Sequence, residues 1–107
     1  MKNISIADLK TERLKIRAKL DRLAAYLQKA KREFSKEELA PVFQYIKHSE
    51  YLYKHSGWLI RKLEELEKSE SWKGDNKEIN STKDEIWKSL KAFAENVDRG
   101  IIILRNM

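Results

Sequence analysis

From Leu9 onward the apolar residues of this chain return at helical intervals: Ile16, Leu20, Leu23, Leu27 and Ala30 follow at steps of seven, four, three, four and three. Only a helix holds side chains so spaced on one face, so this part is committed to an amphipathic helix whose stripe another element must cover. One residue interrupts the seam: Arg13 stands where an apolar side chain is due. Ser5 with Asp8 three residues on has the pattern of a capping box, and Ser35-Lys36-Glu37-Glu38 repeats it more cleanly. The first helix is therefore predicted over about 6–32, with the chain reversing around Phe34.

The second helix is predicted over about 36–69, carried by Leu39, Val42, Phe43, Ile46, Leu52, Leu59, Ile60, Leu63 and Leu66. Pro41 lies deeper than the donor-free first turn, so a break near residue 40 is expected. Ser49, Ser56 and Gly57 fall among Phe43, Tyr45, Tyr51, Tyr53 and Trp58, a pattern that points to a close helix approach bordered by rings. Gly57 costs about 1 kcal/mol relative to Ala inside a helix and so asks for a packing or ligand reason. The period is lost over 69–80, where Gly74-Asp75-Asn76 signals a turn and predicts a loop. Ser81 with Asp84, or Thr82 with Glu85, then caps a third helix over about 82–106 with Ile86, Leu90, Phe93, Val97, Ile101 and Leu104 as its stripe.

The fold class expected is all-α: a long helical hairpin with a third, C-terminal helix laid against it, forming a single domain over residues 1–107. With 41% hydrophobic and 37% charged residues, its core must be thin. The run Ile101-Ile102-Ile103-Leu104 is apolar all round a helix, so one face can meet the chain's own core while another needs a partner; a homo-oligomer is the economical expectation.

Enzyme chemistry finds little purchase. The absence of Cys removes thiol nucleophiles, disulfides and Cys-ligated zinc, and there is no glycine-rich phosphate loop, nucleophile elbow or HExxH pair. His48 and His55 stand seven apart, not the three or four of a helical metal pair, and read as two surface or half-buried histidines. Glu64, Glu65 and Glu67 have Arg61, Lys62 and Lys68 at helical neighbour spacing, as on a solvated face. No catalytic residue, metal or cofactor is expected. No apolar stretch is long enough to span a membrane and no signal-peptide core follows Met1, so a cytoplasmic protein is expected.

The chain carries 23 Lys and Arg against 17 Asp and Glu, and residues 1–34 hold ten of the former and four of the latter. An anionic partner should meet this third first. Arg13, with Arg17 beside it, must be paired by an acidic side chain or by a ligand phosphate, because a guanidinium on a packing seam cannot stay bare. Lys10, Arg13 and Arg17 fall on one flank of the apolar stripe and Lys15, Lys19, Arg22 and Lys29 on the other, as in any hydrophilic bundle. Tyr51 or Trp58 can stack on a base, although aromatics at helical spacing serve the core more often. No helix-turn-helix, RNP or zinc-finger motif supports sequence-specific DNA binding.

Two stretches carry a resemblance. Arg32-Glu33-Phe34-Ser35-Lys36-Glu37-Glu38-Leu39 with Ile46-Lys47, and Ala92-Phe93-Ala94-Glu95-Asn96-Val97-Asp98-Arg99-Gly100 with Leu104-Arg105, resemble the small phage-encoded sponges that bind cyclic oligonucleotides and blunt CBASS-type immunity. The resemblance implies a non-enzymatic, interlocked oligomer, in a host cytoplasm, that sequesters nucleotides between protomers. By residue match, Lys47 and Arg105 would hold phosphates and Arg32 would join them. Two readings thus stand side by side. One is a nucleotide-sequestering oligomer; the other is a helical interaction module or inhibitor that docks a host protein, or a protein–nucleic acid complex, through the basic first helix and the apolar C-terminal face.

Overall fold

The computed structural model describes residues 4–68 and 77–107. They form three helices, α1 (Ile6–Ala30), α2 (Lys36–Lys68) and α3 (Lys77–Arg105), and no strand occurs among the described residues. Both capping boxes close. Ser5 Oγ accepts from the Asp8 amide at 3.1 Å while Asp8 accepts from the Ser5 amide at 3.3 Å. Ser35 and Glu38 exchange the same pair at 3.2 and 2.9 Å. Each box satisfies two amides that a helix start would otherwise leave bare. α1 stops at Ala30, two residues before the expected end, and turns over 31–34 with Phe34 tucked partly against the core.

The short turn makes α2 run antiparallel to α1, so Lys10 near the start of one meets Glu64 near the end of the other. α3 returns parallel to α1, as Lys19 beside Asp98 shows, giving an up-down-up bundle 57 Å long and 18 by 16 Å across. The predicted stripes form its axis: Leu9, Leu23, Leu39, Leu63, Ile86 and Phe93 are essentially inaccessible to solvent. A Cβ on Gly100 would lie 2.7 Å from Leu23 Cδ2 and 3.6 Å from Tyr45 Cβ, so this glycine lets α3 approach both other helices. Ser49 and Ser56 are fully buried and return their hydroxyl protons to the Tyr45 and Tyr53 carbonyls at 2.7 and 2.8 Å.

Two expectations are corrected. No break occurs near residue 40; α2 runs through Pro41. The hydrogen bond that proline cannot donate belongs to the Glu37 carbonyl, and Glu37, Ala40 and Pro41 all face solvent, so the bare carbonyl stands where water can reach it. α3 starts by Lys77, not at 82, so 77–80 are helical, while the rest of the predicted loop, residues 69–76, lies outside the described residues. Thr82 is no cap: it is buried and donates its hydroxyl to the Glu78 carbonyl four residues back, at 2.8 Å. Ile79 is buried and extends the α3 stripe by a turn.

Candidate functional site

Arg13 is paired, though not by an acidic side chain. Its Nε donates to the Tyr53 carbonyl at 3.1 Å and to Ser56 Oγ at 3.0 Å, and Nη2 donates to the same carbonyl at 2.9 Å. The guanidinium carbon stands 3.7 Å from the centroid of the Tyr53 ring, with Arg17 at 4.9 Å from it. Arg17 also pairs with Asp21 at 3.1 Å, and the Tyr53 ring tilts against Phe93. A carbonyl, a hydroxyl and a π face together accommodate a charge without a carboxylate, because each offers electron density to it. This arrangement also explains Gly57: a Cβ there would fall 2.5 Å from Arg13 Nη2, so the glycine makes room for the guanidinium. The two arginines join α1 to α2.

The parallel packing of α1 and α3 leaves an open groove of about 540 Å³ along one end of the bundle. Lys19, Arg22 and Tyr26 line it from α1, Asp98 and Arg105 from α3, over an apolar floor of Ala30, Ile101 and Leu104. Lys19 reaches Asp98 only at 4.0 Å with both side chains half exposed, an ion pair of little strength that a ligand anion can replace. Neither Arg22 nor Arg105 has an ion pair among the described residues. Tyr26 is 51% exposed, so its ring is open to a flat partner. Three cations, one ring and an apolar floor can hold phosphates and a base together.

The remaining predicted residues lie elsewhere. Lys47, Tyr51 and Trp58 share the solvent face of α2, and Arg32 is exposed in the α1–α2 turn. The bundle therefore does not gather Arg13, Arg17, Arg32, Lys47 and Arg105 into one site within a single chain. Of the C-terminal run, Ile101, Ile103 and Leu104 pack partly against the core, whereas Ile102 is 54% exposed. Sequence reasoning set Lys19 and Arg22 on one flank of the first helix and did not single out Tyr26. The signal for all three was their repeat at steps of three and four, which needed the register of α3 to become a site.

On α2 the rings form a ladder. His48, Tyr51, His55 and Trp58 stack in succession with centroids 6.2, 5.9 and 6.1 Å apart and planes within 24° of parallel. Lys62 continues it, its Nζ 5.7 Å from the Trp58 ring. On the neighbouring seam Lys10 donates to Glu64 at 2.8 Å; this hydrogen bond, opposed by desolvation and aided by the charges of Lys10 and Lys68, holds the Glu64 carboxyl below its ordinary value.

Among the described residues no group of three or more His, Asp or Glu side chains is placed to hold a metal ion, and no helix is long and apolar enough to cross a membrane. Comparison with protein-family models, with curated proteins and with solved structures finds no match to this chain.

Proposed function

We propose that this protein binds a compact, multiply charged nucleotide in the α1–α3 groove and breaks no bond in it. The observation that carries the reading is the convergence of Lys19, Arg22 and Arg105 around the open Tyr26 ring, above Ile101 and Leu104. Phosphates take charge-assisted hydrogen bonds from the two guanidinium forks, and a base covers the phenol ring. The resemblance to the phage sponges supplies the ligand within this class: a cyclic oligonucleotide, sequestered in a counter-defence role. In that form of the proposal a second copy closes the groove near Ile102, and Lys47 and Arg32 of neighbouring copies add to the phosphate contacts.

A second reading uses the same surface. The groove joins the basic flank of α1 to the apolar C-terminal turn, and with Ile102 exposed beside it, it can seat an acidic amphipathic helix of another protein. Thermal melting against a panel of cyclic di- and trinucleotides separates the two. A ligand at a hundredfold excess over its Kd adds about 2.7 kcal/mol to stability. The nucleotide reading requires such a shift in the wild type and its loss in Arg22→Glu/Arg105→Glu. A panel without any shift overturns it.

A further inference from the structure

We propose that the outer face of α2 is a track for single-stranded nucleic acid, with bases stacking on the His48-Tyr51-His55-Trp58 ladder and phosphates meeting the row Lys47, Lys54 and Arg61. This surface is separate from the α1–α3 groove of the same chain and shares only Lys47 with the oligomeric form of the groove reading, so the proposal does not depend on that reading.

The ladder rings are not core residues. Tyr51 is 61% and Trp58 53% exposed, while the core-facing positions beside them, Leu52, Ser56 and Leu59, are buried. Steps of three, four and three residues keep the four rings on one stripe, and their mutual stacking holds them parallel in water. Lys47, Lys54 and Arg61 repeat at steps of seven, so at about 100° per residue they form a second line along the helix, roughly 80° round from the rings. All three are exposed, and none has an ion pair among the described residues. Between residues 47 and 62 the face carries Lys47, Lys54, Arg61 and Lys62 against the single carboxylate of Glu50, so its charge complements a polyanion. Glu65, beside Trp58, Arg61 and Lys62, ends the track.

Spacing selects a strand over other polyanions. From His48 to Trp58 the helix rises about 15 Å, and the four rungs leave three gaps between them, places for three bases of a strand. Two rings that clasp one base between them stand about 6.8 Å apart, twice the stacking distance of roughly 3.4 Å, and the rungs here are 5.9 to 6.2 Å apart. Small side-chain rotations therefore admit bases between the rungs. A duplex hides the faces of its bases and cannot use the ladder; a single strand offers both faces and phosphates.

The test is fluorescence anisotropy with labelled oligothymidylates of four, eight and twelve nucleotides and a duplex of twelve base pairs, at low salt. The single strands bind and the duplex binds far more weakly. Tyr51→Ala and Trp58→Ala each weaken the single strand by about 5- to 150-fold, whereas Trp58→Phe retains most of the affinity and Arg22→Glu/Arg105→Glu, in the groove, leaves it intact. Replacing Lys47, Lys54 and Arg61 together by Gln lowers the slope of log affinity against log salt by about 2. Because these side chains are exposed, the variants keep the wild-type circular dichroism and Tm. The proposal is overturned if no single strand binds, if the duplex binds equally well, if loss of Tyr51 and Trp58 changes nothing in a folded protein, or if the groove substitutions abolish binding. It is equally overturned if Tyr51→Ala only dissociates a dimer.

Discussion

Replacing Gly57 by Ala should destabilise this protein, against the usual direction of that change inside a helix. Helix propensity alone favours Ala by about 1 kcal/mol. The new methyl, however, lands 2.5 Å from Arg13 Nη2 and 3.0 Å from Cζ, so the guanidinium must leave its place. It then loses the hydrogen bonds to the Tyr53 carbonyl and Ser56 Oγ and its 3.7 Å contact with the Tyr53 ring. Hydrogen bonds from a charged donor contribute about 1.5 to 3 kcal/mol, and an exposed cation–π contact about 0.5 to 1. Arg13 is only half-buried and its guanidinium is the flexible end of the side chain, which regains hydrogen bonds from water as it shifts, so the loss is about 2 kcal/mol in all. The net effect is a loss of about 1 kcal/mol after the propensity gain is set against it. In an Arg13→Ala background no guanidinium is displaced, and the same Gly57→Ala change should stabilise by about 1 kcal/mol. Urea denaturation of the four proteins of this cycle measures both numbers, and the coupling of about 2 kcal/mol far exceeds ordinary non-additivity. If Gly57→Ala stabilises the wild type as much as it stabilises Arg13→Ala, the clamp does not exist as described.

Three further outcomes follow from single contacts. Ser89 Oγ is buried without a hydrogen-bond partner among the described residues, so Ser89→Ala should stabilise by about 1 kcal/mol, read as a Tm several degrees higher; a lower Tm would show that the hydroxyl has found a partner. Lys10→Met should raise the NMR titration midpoint of Glu64 toward the ordinary carboxylate value. Since folding lowers that midpoint, the wild-type pair contributes stability above the unfolded value and loses it as pH falls through the folded one; an unmoved midpoint would refute the assignment. If copies associate through the C-terminal turn, Ile102→Glu should bring the mass seen by light scattering down to the 12.7 kDa of one chain. A wild type already at that mass removes the oligomer from the proposal.

The bundle was legible where burial dictates sequence. Leu9, Ile16, Leu20, Leu23 and Leu27 show the helical period because each must reach the same core, and all five are buried. Helix ends were less legible because one residue type serves two purposes: Ser35 caps a helix, whereas Thr82, in an equally cap-like setting, bonds back to Glu78 inside one. Pro41 misled for the opposite reason, since its cost depends on whether water can reach the carbonyl it leaves bare, and sequence does not reveal that face. Arg13 stood out correctly as an interruption of the seam, but its partners are a main-chain carbonyl and a ring, which no charge pattern announces. The groove depends on the α1–α3 register, so Arg22 and Tyr26 could not be set beside Arg105 before the helices were placed.

The central claim is that a nucleotide occupies the groove between α1 and α3, and amide and side-chain NMR spectra of the labelled protein, recorded with and without the best ligand of the cyclic-nucleotide panel, test it most directly. The account predicts shifts gathered at Lys19, Arg22, Tyr26, Asp98, Ile101 and Arg105 and absent from Arg22→Glu/Arg105→Glu. Shifts confined to the outer face of α2, or a spectrum that no member of the panel changes, would contradict it.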